Sequence, residues 1–143
     1  MAPSFVHLHL HSEFSLTDST LRLPALVERC AQLGLPAVAV TDTSNLFALV
    51  KFFKAAEGAG LKPIAGCDLW LSEEGETPMR VSLLCMNHAG YLCLSRLLTR
   101  AYLEGHHGDF VAIRESWLLG ENEGLAVIAG RESPVGAAVA SGR

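Results

Sequence analysis

The sequence predicts an α/β fold of mainly parallel strands. Two observations predict it: short apolar or alternating runs take turns with amphipathic helical runs along the chain, and Gly- or Pro-containing turns separate them. Regular alternation of this kind forms a parallel sheet with right-handed crossovers, either as a β/α barrel or as an open doubly wound sheet. With 143 residues, 50% of them hydrophobic, the chain is long enough for one core and short for two.

Residues 5–10 alternate with period two, the pattern of a strand, with His7, His9 and His11 on one side and Val6, Leu8 and Leu10 on the other. Pro24 suits the first helical position, Leu26, Val27, Cys30 and Leu33 recur at helical spacing, and Gly34 can supply the left-handed residue that ends a helix. Pro36 leads into Ala37–Val40, a continuous apolar run of the kind buried on both faces of a parallel sheet, ending at Thr41 and Asp42. Leu46, Leu49, Val50 and Phe53 then mark the apolar face of a second helix closed by Gly58 and Gly60. Strands follow at 63–71 and 81–86 around a polar turn at 72–78. Tyr91, Leu94, Leu98 and Ala101 mark a third helix, and a shorter helix around 114–119 precedes a strand at 125–129. Pro134–Ala140 begins a last helix. Ser141, Gly142 and Arg143 follow an unfinished apolar pattern, so the chain reads as cut, and a barrel of roughly seven or eight strands needs a remainder.

Eleven Lys plus Arg stand against fifteen Asp plus Glu, a net charge of −4, and no run of basic residues could line a phosphate backbone. This segment is therefore not expected to grip nucleic acid by itself. Cys30, Cys67, Cys85 and Cys93 are widely spaced without a CxxC pair, and Cys30, Cys85 and Cys93 sit among Val, Leu and Ala. Buried thiols in a reducing cytoplasm are expected. The first residues carry no basic region, their apolar residues are interrupted by His7 and His9, and no apolar stretch approaches about 18 residues, so neither a signal peptide nor a membrane helix is expected.

The strongest chemical signal is His9 and His11, two apart on a strand, with Asp18 seven residues further on. Imidazoles so spaced can share a divalent metal, and a carboxylate on the following loop can complete the site. Taken alone, the same pair also describes a polar strand edge with hydrogen-bonded histidines. Asp42 and Asp68 lie at or within later strands, where β/α folds collect functional groups, although Asp42 also stands where a helix cap could. His88, His106 and His107 read as surface histidines. Trp70, Trp117, Phe52 and Phe53 read as core or partner-facing aromatics, since no dense basic residues interleave with them.

The stretches FVHLHLHSEFSLTDS, AVAVTDTSNLFALVKFF, GLKPIAGCDLWL and MNHAGYLCLSRLLTRAYLEG, in that order and spacing, resemble the PHP (polymerase and histidinol phosphatase) domain at the N-terminus of bacterial DNA polymerase III alpha subunits, the C-family replicative polymerases. The resemblance runs over essentially the whole chain. It implies that residues 1–143 are the N-terminal portion of one PHP domain, part of a distorted β/α barrel cut before closure, without the polymerase domains. In metal-binding members of that family, strand ends hold divalent ions that support phosphoesterase or exonuclease chemistry. His9, His11 and Asp18 match ligand positions, and Asp68 stands where the family usually has Glu.

The departures matter as much. The family pattern TDHGN is here Thr41, Asp42, Thr43, Ser44 and Asn45, so Thr43 replaces a metal-binding histidine. Arg80 stands for another histidine and Arg131 for a cysteine. The resemblance therefore implies a degenerate site, holding no cofactor or a residual zinc, manganese or magnesium ion. A guanidinium from Arg131 or Arg80 could neutralise Asp18 or Asp68 where metals sit in the family; the alternative is that both arginines point to solvent. The function implied is a non-catalytic region of a replicative polymerase, cytoplasmic, stabilising the large chain and offering a surface to the proofreading exonuclease subunit and other replicase subunits. DNA is reached through the parent polymerase rather than this segment. The alternative is an active metal-dependent phosphoesterase or 3'-5' exonuclease, with His9, His11, Asp18 and Asp68 holding the ion.

Overall fold

Pro24, with its ring-fixed φ and no amide hydrogen to lose, sits in the first turn of helix α1 (Leu23–Gln32), and Gly34 follows the helix at φ +65°. The computed structural model of the chain describes residues 5–73, 77–130 and 133–142. Two compact units make up the chain, Met1–Cys67 and Asp68–Arg143, and the division falls inside one strand.

In the first unit α1 buries Leu23, Leu26, Val27 and Cys30, whereas Leu33, expected on the same stripe, lies past the helix end and is exposed. Strand β1 (Ala37–Val40) is buried throughout and pairs in parallel with the start of β2 (Lys62–Leu71), from Ala37 opposite Lys62 to Val40 opposite Ala65. On the other side of β1, residues 5–10 do not form the full strand that their alternation predicts. A parallel bridge joins His7 to Val38, and the amides of Ala39 and Thr41 donate to the carbonyls of His7 and Leu10 at 2.8 Å each. The Leu10 amide then donates to the Thr41 hydroxyl at 3.0 Å. A side chain has taken the place of a ladder carbonyl, so regular pairing stops there.

Helix α2 (Leu49–Gly58) begins three residues later than its apolar pattern suggests, and it is turned the other way. Ala48, Phe52 and Ala56 are its buried face, while Val50 and Phe53 are exposed. Two small residues flanking Phe52 let α2 approach α1 closely, and Phe52 joins Leu26, Val27, Val38, Val40 and Leu61 in one core.

The second unit contains the end of β2, then β3 (Met79–Cys85), α3 (His88–Glu104), β4 (His106–His107), β5 (Phe110–Ile113), α4 (Glu115–Gly120), β6 (Leu125–Ile128) and α5 (Pro134–Ala140). Its strand order is β4-β5-β2-β3-β6. Trp70 and Leu71 of β2 run parallel to Ala112 and Ile113 of β5, while β3 with β6 and β4 with β5 are antiparallel ladders. The β4–β5 hairpin, turning at Gly108 with φ +58°, has no sequence expectation behind it, because a two-residue polar strand shows no periodicity. Helix α3 packs on β3, β5 and β6, burying Cys93, Leu94, Leu97, Leu98 and Ala101 at helical spacing. Backbones come unusually close here: a Cβ on Gly90 would overlap the Gly124 carbonyl, and one on Gly105 would overlap the Ala112 carbonyl. Cys85 is half-buried at the end of β3; burial first, and Cys93 second, push its thiol up to about 11. No helix among the described residues is long and apolar enough to cross a membrane.

Candidate metal centre

Asp42 lies two residues past the end of β1 and is only 1% exposed. Its carboxylate accepts three hydrogen bonds: Oδ1 from the Ser12 amide at 2.6 Å and the Ser15 hydroxyl at 2.8 Å, and Oδ2 from the Ser12 hydroxyl at 2.7 Å. The Cys67 thiol donates to the Asp42 carbonyl at 3.1 Å. Ser12 also caps the short 3-10 turn Glu13–Ser15, its hydroxyl accepting from the Phe14 amide. The cap reading of Asp42 does not hold, because α2 starts after Ala48 without a side-chain cap. Asp42 instead fastens the residue after His11 to the end of β1. Asn45 extends the fastening, donating to the carbonyls of Phe14 and Thr43 at 3.0 Å each.

On that anchored loop, the rings of His9 and His11 meet edge-on with centroids 5.1 Å apart, and a ring nitrogen of each lies within 4.8 Å of one of the other. His11 Nδ1 stands 3.7 Å from Asp18 Oδ2. The same oxygen accepts a hydrogen bond from the Thr43 hydroxyl at 2.7 Å. His7, expected on the same side, packs its ring against Phe5 with centroids 4.7 Å apart. Asp18 reaches this place through a tight three-residue turn: the Thr17 amide donates to the Ser15 carbonyl at 2.8 Å, with Leu16 at φ +66° and ψ −55°. Ser44, after Thr43, is also left-handed at φ +53°. A non-glycine residue held so costs of the order of 1–2 kcal/mol, which the Asp42 and Asn45 hydrogen bonds offset.

Among the described residues of the first unit, the sequence candidates His9, His11, Asp18 and Thr43 are thus brought together. Two imidazoles and a carboxylate suit a divalent ion such as zinc or manganese, and the Thr43 hydroxyl serves as a donor to the carboxylate. Ser12 and Ser15, which hold the loop, carry no motif of their own. Their one signal is a position between the histidine pair and Asp18.

In the second unit, Asp68 is 1% exposed on β2 and accepts from the Ser82 hydroxyl of β3. Arg80 lays its guanidinium over Trp70, 4.8 Å from the ring centroid, and Trp70 in turn packs on Phe110. Arg131 lies outside the described residues. His88 and His106 are exposed, as read from sequence, and Trp117 is buried.

The PHP domain family matches residues 7–142 of this chain. The DNA polymerase III subunit alpha of Xylella fastidiosa (strain 9a5c) is 48% identical over 98% of the chain, that of Pseudomonas aeruginosa 48% over 99%, and that of Escherichia coli K12 40% over 90%. The chain spans 13%, 12% and 11% of the length of these three proteins. Among solved structures, an amidohydrolase from Chromobacterium violaceum with bound sulfate and no metal is similar in fold, with a TM-score of 0.50 and 23% identity over 70% of this chain and 37% of that one. On the match along nearly its whole length, this chain belongs to the PHP domain family.

Proposed function

We propose that residues 1–143 are the N-terminal portion of a single PHP domain in a bacterial DNA polymerase III alpha subunit, serving DNA replication as a non-catalytic element with a degenerate metal site. The likeness to alpha subunits at 40–48% identity supports the polymerase setting. The observation that carries the degenerate reading is Thr43, whose hydroxyl donates to Asp18 at 2.7 Å where the family pattern places a histidine. A hydroxyl that donates to a carboxylate orients it without supplying a ligand nitrogen, and the cluster of ions found in the family needs that nitrogen. His9, His11 and Asp18 are then the donors of the first unit left for one residual ion, and an ion held there would lower the pKa of a bound water.

In this reading the domain stabilises the polymerase chain and offers a surface to the proofreading exonuclease subunit and other replicase subunits in the cytoplasm, and contact with DNA comes through the parent polymerase. The pairing of His9 with His11 favours the second reading, an active metal-dependent phosphoesterase. Elemental analysis of the chain for zinc, manganese and iron separates the two. Metal well below one equivalent, rising on Thr43→His, is the expected result. Stoichiometric metal that disappears in the His9→Ala/His11→Ala variant would instead establish a working site.

A further inference from the structure

The outward face of α2 carries an apolar stripe that the fold leaves bare. Phe47, just ahead of the helix, and Val50 and Phe53 within it recur every three residues and are 66%, 67% and 37% exposed. The opposite face, Ala48, Phe52 and Ala56, already fills the core, and of the stripe Phe53 meets the Phe52 ring edge-on while Phe47 and Val50 are its barest part.

The charge around this stripe is as uneven as its hydropathy. The net charge is −4, yet all three lysines of the chain, Lys51, Lys54 and Lys62, lie on α2 or just after it. Among the described residues none of them forms an ion pair, whereas Arg22, Arg96 and Arg100 are matched by Glu13, Glu121 and Glu104. Lys51 is steadied beside the stripe by the Phe14 ring, its Nζ standing 5.1 Å above the centroid. The acid of the helix, Glu57, lies at its C-terminal end.

We infer that the Phe47, Val50 and Phe53 face of α2 docks an acidic amphipathic helix of a partner protein, its apolar side covering the stripe and its carboxylates meeting Lys51 and Lys54. Two-fold pairing with a second copy of this chain would set lysines against lysines. A nucleic acid would find two cations and Glu57 on the face, far short of what a phosphate backbone draws on. The inference does not depend on whether a metal binds at His9 and His11.

The test is fluorescence anisotropy of the 143-residue chain with a labelled synthetic helix of about five turns, leucine along one face and glutamate along the other. The same helix with lysine for glutamate, and a single-stranded oligothymidine, serve as comparisons. The glutamate helix should bind about tenfold or more tighter than the lysine helix, and Lys51→Glu/Lys54→Glu should reverse that order. Val50→Ser, or Phe47→Ser should the first variant lose its circular-dichroism signal, should weaken binding about tenfold, while Leu103→Ser, at an exposed leucine of α3, should leave it unchanged. Equal binding of both helices, no binding of the glutamate helix, or equal loss in Leu103→Ser would each overturn the inference. So would a preference for the oligothymidine, or concentration-dependent dimers that Val50→Ser abolishes without any helix binding.

Discussion

Asp42 and Asp68 are each 1% exposed, but the units around them are held by different means. In Met1–Cys67, Asp42 gathers three donors from Ser12 and Ser15, and Asn45 bridges two carbonyls. The loop bearing His11 and Asp18 is fixed by polar groups far apart in sequence. In Asp68–Arg143, Asp68 meets Ser82, the tight places are steric, Gly90 against Gly124 and Gly105 against Ala112, and the guanidinium carbons of Arg100 and Arg114 stack on Trp117 at 4.1 Å and 5.3 Å from its ring centroid. A loop that must present imidazoles at its surface cannot be buried by apolar packing, so hydrogen bonds to a buried carboxylate hold it. A helix lying on a sheet has apolar area to bury, and its precision comes from small residues at the points of closest approach.

If that contrast is right, the largest effect should come from volume in the second unit. Gly90→Ala places a Cβ on the Gly124 carbonyl and should destabilise by about 3 kcal/mol, lowering the melting temperature by roughly 10 °C. A shift below about 2 °C in a thermal melt would mean that this contact yields easily, and the steric half of the contrast would fail. Next is polarity in the first unit. Asp42→Ala strands three donors and should lose about 2–3 kcal/mol in urea unfolding, and Asp42→Asn, which keeps one acceptor oxygen, about half as much. Equal losses from both would show that charge rather than hydrogen-bond geometry holds the loop.

The smallest effect is confined to alkaline pH and sharpens the second unit alone. Cys85 keeps its proton to about 11 in the folded chain against an ordinary 9.0, because burial, and then Cys93, disfavour the thiolate. The unfolded chain therefore releases that proton first as pH rises. The contribution of Cys85 is complete below pH 9.0 and is lost as pH climbs to about 11. Cys85→Ala should flatten stability between those two values, and an unchanged alkaline slope in urea titrations would remove Cys85 as its cause.

Much of this was legible in the chain itself where the signal is local. Pro24 and Gly34 bracket α1 through their own backbone limits, the four apolar residues of β1 are buried as a continuous run should be, and the stripe of α3 faces its sheet. The His9, His11 and Asp18 motif was legible too, through its spacing and its likeness to a family. The turn of α2 was not. Its apolar residues run round most of the helix, and Phe52 rather than Phe53 won the core because Ala48 and Ala56 flank it. The 106–113 hairpin, too short and polar to show a period, was equally silent.

By itself, then, the sequence determined the alternation of strands and helices, the bracketing of α1, the burial of β1, and the residue types that could meet a metal. These depend on φ limits, periodicity and side-chain chemistry, which act over a few residues. The tertiary structure alone decided that Ser12 and Ser15 close on Asp42, 30 and 27 positions away, that Thr43 donates to Asp18 from 25 positions away, and which side of α2 faces outward. Hydroxyls and carboxylates carry no address for their partners, and which of them meet is set by where the packed core brings the chain together.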